Sequence, residues 1–201
     1  MNFLKKIFGS KQQSGKEIKS DDRGKYMPEL KLPIDEKFTI NFKANGGKFL
    51  YCDDLNEVYS NFNNIITENS WEEKQALVID DNLSKKFKSL NFPITKKSGT
   101  ASYFLTTCEN LIATDGSLLI CSNQIAAKKL TDLPVNFVVY ATTSQIVDTI
   151  GEGLQGIKSK NRKKIPSNIT TIKHFKSDDE KDFLSYGSSS KNLYLLLLED
   201  L

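Results

Sequence analysis

Thr114, Asp115, Gly116 and Ser117 bring a carboxylate, two hydroxyls and a conformationally free glycine together just ahead of an apolar run. Such a turn can present backbone N–H groups and hydroxyls to a phosphate or carboxylate. The same residues also make an ordinary Asp-Gly turn into a strand. Thr142, Thr143 and Ser144 follow the longest buried-looking run, where open α/β sheets bind ligands, although helix capping uses the same residue types. Gly187-Ser188-Ser189-Ser190-Lys191 offers hydroxyls and a cation to an anionic ligand or a carboxylate. It lacks the Gly-x-x-x-x-Gly-Lys-Ser/Thr spacing of a P-loop and equally reads as a solvated loop. The ligand-binding candidates are therefore Thr114, Asp115, Gly116, Ser117, Thr142, Thr143, Gly187, Ser188 and Lys191, with no residue assigned as catalytic.

Other chemistries have less to work with. His174 is the single histidine, so Ser-His-Asp and Cys-His catalysis and His-based metal sites would all rest on one residue beside Lys173 and Phe175. Cys52, Cys108 and Cys121 are an odd number without Cys-x-x-Cys spacing, which argues against a disulfide framework and a thiolate zinc site. No metal and no cofactor are expected on this chain. Cys108 lies next to Glu109, and a neighbouring carboxylate makes the reactive thiolate scarcer, so packing is its expected role. The net charge of +3 over 201 residues divides unevenly. Residues 1–33 carry eight Lys/Arg against four Asp/Glu, and residues 34–201 carry 20 against 21. One local basic run remains in the body: Lys158, Lys160, Arg162, Lys163 and Lys164. It can contact phosphate backbone or anionic lipid, but with no interleaved aromatic and a neutral domain it reads as a solvated loop, and nucleic-acid binding is not expected.

The elements that must position these residues follow from periodicity. With 38% hydrophobic residues the chain can bury one core. Residues 1–33 form a polar, basic tail with too few apolar side chains to offset ordering entropy, and residues 34–201 form one domain. Within the tail, Phe3, Leu4, Ile7 and Phe8 oppose Lys5 and Lys6, a short amphipathic turn able to touch a membrane or a partner weakly. Apolar runs fall far short of the roughly 20 residues of a transmembrane helix, and no secretory signal is apparent, so a cytoplasmic protein is expected. A helix is predicted over 35–44 with Asp35 as N-cap, a strand over 48–52, and a helix opened by Asp54 and Glu57 with Leu55, Val58, Tyr59, Phe62, Ile65 and Ile66 as its apolar stripe. Strands follow at 76–79, 92–95, 103–107, 111–113, 117–121 and 135–141. Thr143 or Ser144 is predicted to cap a helix with Ile146, Val147, Ile150, Leu154 and Ile157 inward. A further strand lies within 165–175 and a last apolar one over 192–198. Strands alternating with helices imply an α/β fold with a largely parallel sheet covered by helices.

The run from Thr106 to Ile120, followed by Leu133-Pro134 and the apolar residues Val135 to Tyr140, resembles the LUD domain family, the lactate-utilisation protein C type. Thr114, Asp115, Gly116 and Ser117 stand over the family's acidic, threonine and glycine stretch, and Asn45-Gly46-Gly47-Lys48 is similar to the turn joining its first helix to its first strand. The similarity spans about residues 35–201. It implies the fold shared by ribose-5-phosphate isomerase, glucosamine-6-phosphate deaminase and CoA transferases, the NagB/RpiA/CoA-transferase-like class, with ligands at loops beyond strand ends. It also implies a role beside iron–sulfur partner subunits in oxidising lactate to pyruvate. The chain departs from the family late: in place of a Gly-Pro-Ser and a Thr-Ala-Asp-Ile-Glu run it has Ile165-Pro166-Ser167-Asn168-Ile169 and then Lys173-His174-Phe175.

Three readings follow. The first is an accessory subunit of lactate utilisation that binds a small anionic metabolite and works with iron–sulfur redox partners. The second is an enzyme of the sugar-phosphate isomerase or acyl-CoA transferase type, with Asp115 or Glu109 as acid or base near the Gly116-Ser117 turn. The third is a non-catalytic interaction protein using its tail.

Overall fold

The computed structural model describes residues 32–175 and 191–201. The predicted tail lies outside these residues except for its last two, as do the amphipathic run at 3–8 and the candidates Gly187 and Ser188.

Helix α1 (Ile34–Ala44) buries Phe38, Thr39 and Phe42. Pro33, not Asp35, occupies its N-cap. Asp35 instead sits in the first turn, where its charge complements the helix dipole, and accepts from the Glu36 N–H at 2.9 Å. Strand β1 (Lys48–Cys52) leads to α2 (Leu55–Glu68), capped by Asp54, whose Oδ1 accepts from the N–H groups of Asn56 and Glu57. The Glu57 carboxylate reaches back to the Asp53 N–H at 2.8 Å, one residue beyond the N-cap N–H that a capping box uses. Val58, Phe62, Ile65 and Ile66 form the buried stripe of α2, while Leu55 is exposed. Then come β2 (Ala76–Leu77), α3 (Asp81–Lys86) capped by Asp80, β3 (Ile94–Thr95) and β4 (Tyr103–Thr107).

The chain next makes β5 (Asn110–Ile112), β6 (Ser117–Ile120), α4 (Ser122–Ile125) and β7 (Asn136–Thr142). It ends with β8 (Ile146–Val147), α5 (Ile150–Lys160), β9 (Thr170–Ile172) and β10 (Asn192–Leu198). Six strands form one parallel sheet in the order β1-β10-β7-β4-β2-β3. Side chains alternate along β7: Phe137, Val139 and Ala141 join Phe38, Phe42 and Phe104 in one core layer, and Val138 and Tyr140 join Val58, Phe62 and Phe87 in the other. A strand buried on both faces must be apolar at every position, which is why β7 and β10 carry no alternating pattern. Each fully buried large side chain contributes roughly 1.5–3 kcal/mol. The expected α/β class with a parallel, helix-covered sheet is therefore the one observed.

Two further expectations are corrected. Alternation of strand and helix breaks between β4 and β6: β5 and β6 form an antiparallel hairpin, and a second sheet runs β8-β5-β6-β9. The helix expected from Thr143 or Ser144 begins only at Ile150, capped by Thr149. Thr143–Gln145 is a single 3₁₀ turn, and Ile146 and Val147 pair as a strand with Leu111 and Ile112. β-branched side chains beside an open strand edge favour that pairing over a helical turn. Ile150 and Leu154 are consequently exposed, and only Gly153 and Ile157 of α5 are buried. Among the described residues no helix is long and apolar enough to cross a membrane.

Candidate functional site

Parallel strands deliver their carboxyl ends to one rim, and here that rim is joined by polar side chains from β1 to β6. At the end of β1 the Tyr51 hydroxyl donates to Glu199 Oε2, just beyond β10. Asp200, the next residue, takes three bonds from the loop after β7: its Oδ1 accepts from the Thr143 hydroxyl at 2.9 Å and the Ser144 N–H at 2.8 Å, and its Oδ2 from the Ser144 hydroxyl at 2.7 Å. Burial alone would raise the Asp200 pKa, but these donors outweigh it and hold the carboxyl below its ordinary value. Gln145 ties this loop to the next. Its Oε1 accepts from the Thr142 N–H at 2.8 Å, and its Nε2 donates to the Cys108 carbonyl at 2.6 Å beyond β4.

Glu109 continues the rim. Its Oε1 accepts from Cys121 Sγ at 3.1 Å, Asn123 Nδ2 at 2.9 Å and Gln124 Nε2 at 3.1 Å. Its half-buried position favours the neutral acid, yet these bonds and the positive charge of Lys160 hold it ionised. No described residue donates to Oε2. Cys121 is fully buried, and burial together with Glu109 pushes its thiol up to about 12. It is a proton donor rather than a nucleophile. Burial also raises Cys108, and Cys52 to about 11, so none of the three buried thiols is a ready nucleophile.

Of the sequence candidates, Thr142 and Thr143 lie on this rim. Thr114–Ser117 does not; it is the β5–β6 hairpin turn, clasped to α1. Asn41 Nδ2 donates to the Ala113 carbonyl at 2.7 Å and Asn45 Nδ2 to the Asp115 carbonyl at 2.7 Å. Gly116 has φ +67°, and a Cβ there would stand 2.4 Å from the Asn41 and Phe42 backbone, so glycine is required for the close approach. Asp115 Oδ1 accepts from the Ser117 N–H at 3.1 Å and hydroxyl at 2.6 Å, and Thr114 donates to the Asp148 carbonyl through its hydroxyl and through its N–H. The hydroxyls and N–H groups expected to face an anion are thus engaged with the protein's own chain. Lys173 Nζ stands 3.7 Å from Asp115 Oδ2. Asp115 and Glu109 sit beyond opposite ends of β5, so of the two only Asp115 lies at the Gly116-Ser117 turn.

Lys191 is buried at the start of β10, away from the rim, and its Nζ donates to the carbonyls of Leu130, Leu133 and Pro134. His174 is exposed. Among the described residues no group of three or more His, Cys, Asp or Glu is arranged to hold a metal ion. Sequence reasoning missed Tyr51, Gln145, Glu199 and Asp200 as rim residues. Only Gln124 had a local signal, the Cys121-x-x-Gln124 spacing in which its Oε1 accepts from the Cys121 N–H at 2.9 Å.

A family model described as LUD domain matches residues 36–198. Among solved structures, a DUF162 family protein from Deinococcus radiodurans is similar, with a TM-score of 0.57 at 13% identity, covering 83% of this chain and 96% of that one. That likeness shows the fold alone. No curated protein matches.

Proposed function

This chain belongs to the LUD domain family, and on that premise we propose that it is an accessory, ligand-binding subunit of lactate utilisation, working in the cytoplasm beside iron–sulfur partner subunits. The observation that carries the reading is Asp200: a carboxylate held by the Ser144 N–H and the Thr143 and Ser144 hydroxyls, at the strand ends where α/β sheets hold ligands. A small carboxylate presents the same acceptor to the same donors, so exchange with Asp200 leaves their hydrogen bonding unchanged. A 2-hydroxy acid also brings a hydroxyl, for which Glu109 Oε2 is an acceptor. When lactate becomes pyruvate, two electrons and two protons leave it; in this reading the partner subunits take the electrons and this chain positions the metabolite.

Thermal stability measured against a ligand panel tests the reading. Lactate and pyruvate should raise the midpoint of unfolding, and the rise should vanish in Ser144→Ala. Stabilisation by a sugar phosphate or an acyl-CoA, with none by lactate, would instead support the isomerase or transferase reading. No response to any of these, with co-purification of a partner that depends on residues 1–33, would favour a non-catalytic interaction protein.

A further inference from the structure

The sequence from 153 to 177 contains seven Lys/Arg and no Asp or Glu. Its centre is held in one place. Lys158 and Lys160 close the last turn of α5, where cations complement the helix dipole. Asn161 ends the helix by donating through its N–H at 3.1 Å and its side-chain amide at 2.9 Å to the Ile157 carbonyl, and the Lys164 N–H returns to the Asn161 carbonyl at 3.1 Å. The helix dipole accounts for the first two cations and not for Arg162, Lys163 and Lys164.

The loop beyond is pinned to α4 and the turn after it. The Ser122 N–H donates to the Ser167 carbonyl at 2.8 Å, and Asn168 Nδ2 donates to the Lys128 carbonyl at 2.8 Å. The exposed Lys129 follows this contact in the chain, whereas Lys128 is half-buried and its Nζ donates to Ser98 Oγ at 3.4 Å. Lys158, Lys160, Arg162, Lys163 and Lys164 are all exposed, and none stands within 4 Å of a described carboxylate, although the charge of Lys160 is felt by Glu109 at longer range. Residues 159–164 line an open depression of about 460 Å³. Ile165 follows directly and is 52% exposed, with Ile169 also exposed nearby.

We propose that this surface, residues 158–169 with Lys129, docks on an anionic phospholipid bilayer. The exposed cations match headgroup phosphates and anionic lipids, and Ile165, emerging from the middle of them, enters the headgroup–acyl boundary. A single-stranded nucleic acid is the poorer match: no Phe, Tyr or Trp occurs from 141 to 174, so no base has an aromatic to stack on. An acidic protein would satisfy the cations and leave the apolar tip without a role. The surface is separate from the lactate reading and stands or falls without it.

The test is sedimentation of the full chain with vesicles of phosphatidylcholine alone or mixed with phosphatidylglycerol. Binding is expected only to the mixed vesicles and should weaken steeply with salt. The triple variant Arg162→Glu, Lys163→Glu, Lys164→Glu should lower the partition coefficient by at least about 30-fold. Ile165→Ser should weaken binding most at high salt, where the apolar contact carries the remaining affinity. These positions are exposed, and an unchanged unfolding midpoint verifies the fold of each variant. Undiminished binding by the triple variant would show that Arg162, Lys163 and Lys164 do not carry the vesicle affinity and overturn the proposal. So would equal binding to both vesicle types, or binding to homopolymeric RNA or polyglutamate without binding to vesicles.

Discussion

Asp200 and Ser144 meet twice, the Ser144 N–H on Oδ1 at 2.8 Å and the Ser144 hydroxyl on Oδ2 at 2.7 Å. The contact joins the end of β10 to the loop after β7 and fills with a carboxylate the place where the strand ends of a parallel sheet receive ligands. In the proposed function this carboxylate is a stand-in that a small anionic metabolite displaces. Asp200→Asn keeps the shape and removes the charge that competes, so it should bind lactate several-fold more tightly than the parent chain, measured by calorimetric titration. Equal or weaker affinity would mean that Asp200 does not occupy the ligand's position.

Glu109 should make stability depend on acid. Its pKa is held below the ordinary value, against the effect of burial, by Cys121, Gln124 and Asn123. Its contribution is therefore fully present above the unfolded Glu value near 4.3 and is lost as pH falls through the lower folded value. In urea unfolding, Glu109→Gln should be less stable than the parent chain at neutral pH, by about 1–3 kcal/mol. The gap should narrow as pH drops below about 4. A gap that stays constant with pH would exclude the ionised form as the stabilising one.

Glycine substitutions should have opposite signs at two places. Gly116→Ala adds left-handed strain and drives a Cβ to 2.4 Å from the backbone of α1, which should cost about 2–4 kcal/mol. Gly156 lies within α5 with nothing inside 4 Å of an added Cβ, so Gly156→Ala should stabilise by about 0.5–1 kcal/mol. Urea midpoints of the two variants read both effects.

The thiols should be inert in the folded protein. Cys52, Cys108 and Cys121 are buried with raised pKa values. A disulfide exchange reagent at mildly alkaline pH should react roughly 100-fold or more slowly than with free cysteine, and with all three at once on unfolding. Rapid labelling of any one would show an accessible thiolate that burial does not allow.

The parallel sheet was readable because β7 and β10 are apolar at consecutive positions, and Asp54 announced its helix through local capping chemistry. Local signals failed where the outcome depended on distant partners. Ile146 and Val147 fit a helical stripe until Leu111 and Ile112 supply a strand edge. Thr114–Ser117 has the composition of a ligand loop, and only the approach of Asn41 and Asn45 from α1 turns it into a clasp. The rim was hardest to see: Ser144 and Asp200 are 56 positions apart, and Gln145 and Cys108 are 37 apart. A lone polar residue after a strand carries no sign of which other strand end it will meet.

Growth on lactate as sole carbon source tests the proposed function most directly. A strain lacking this chain should grow normally on glucose and poorly on lactate, with growth restored by the wild-type chain and not by Ser144→Ala. Unimpaired growth of the deletion strain on lactate would contradict the assignment to lactate utilisation.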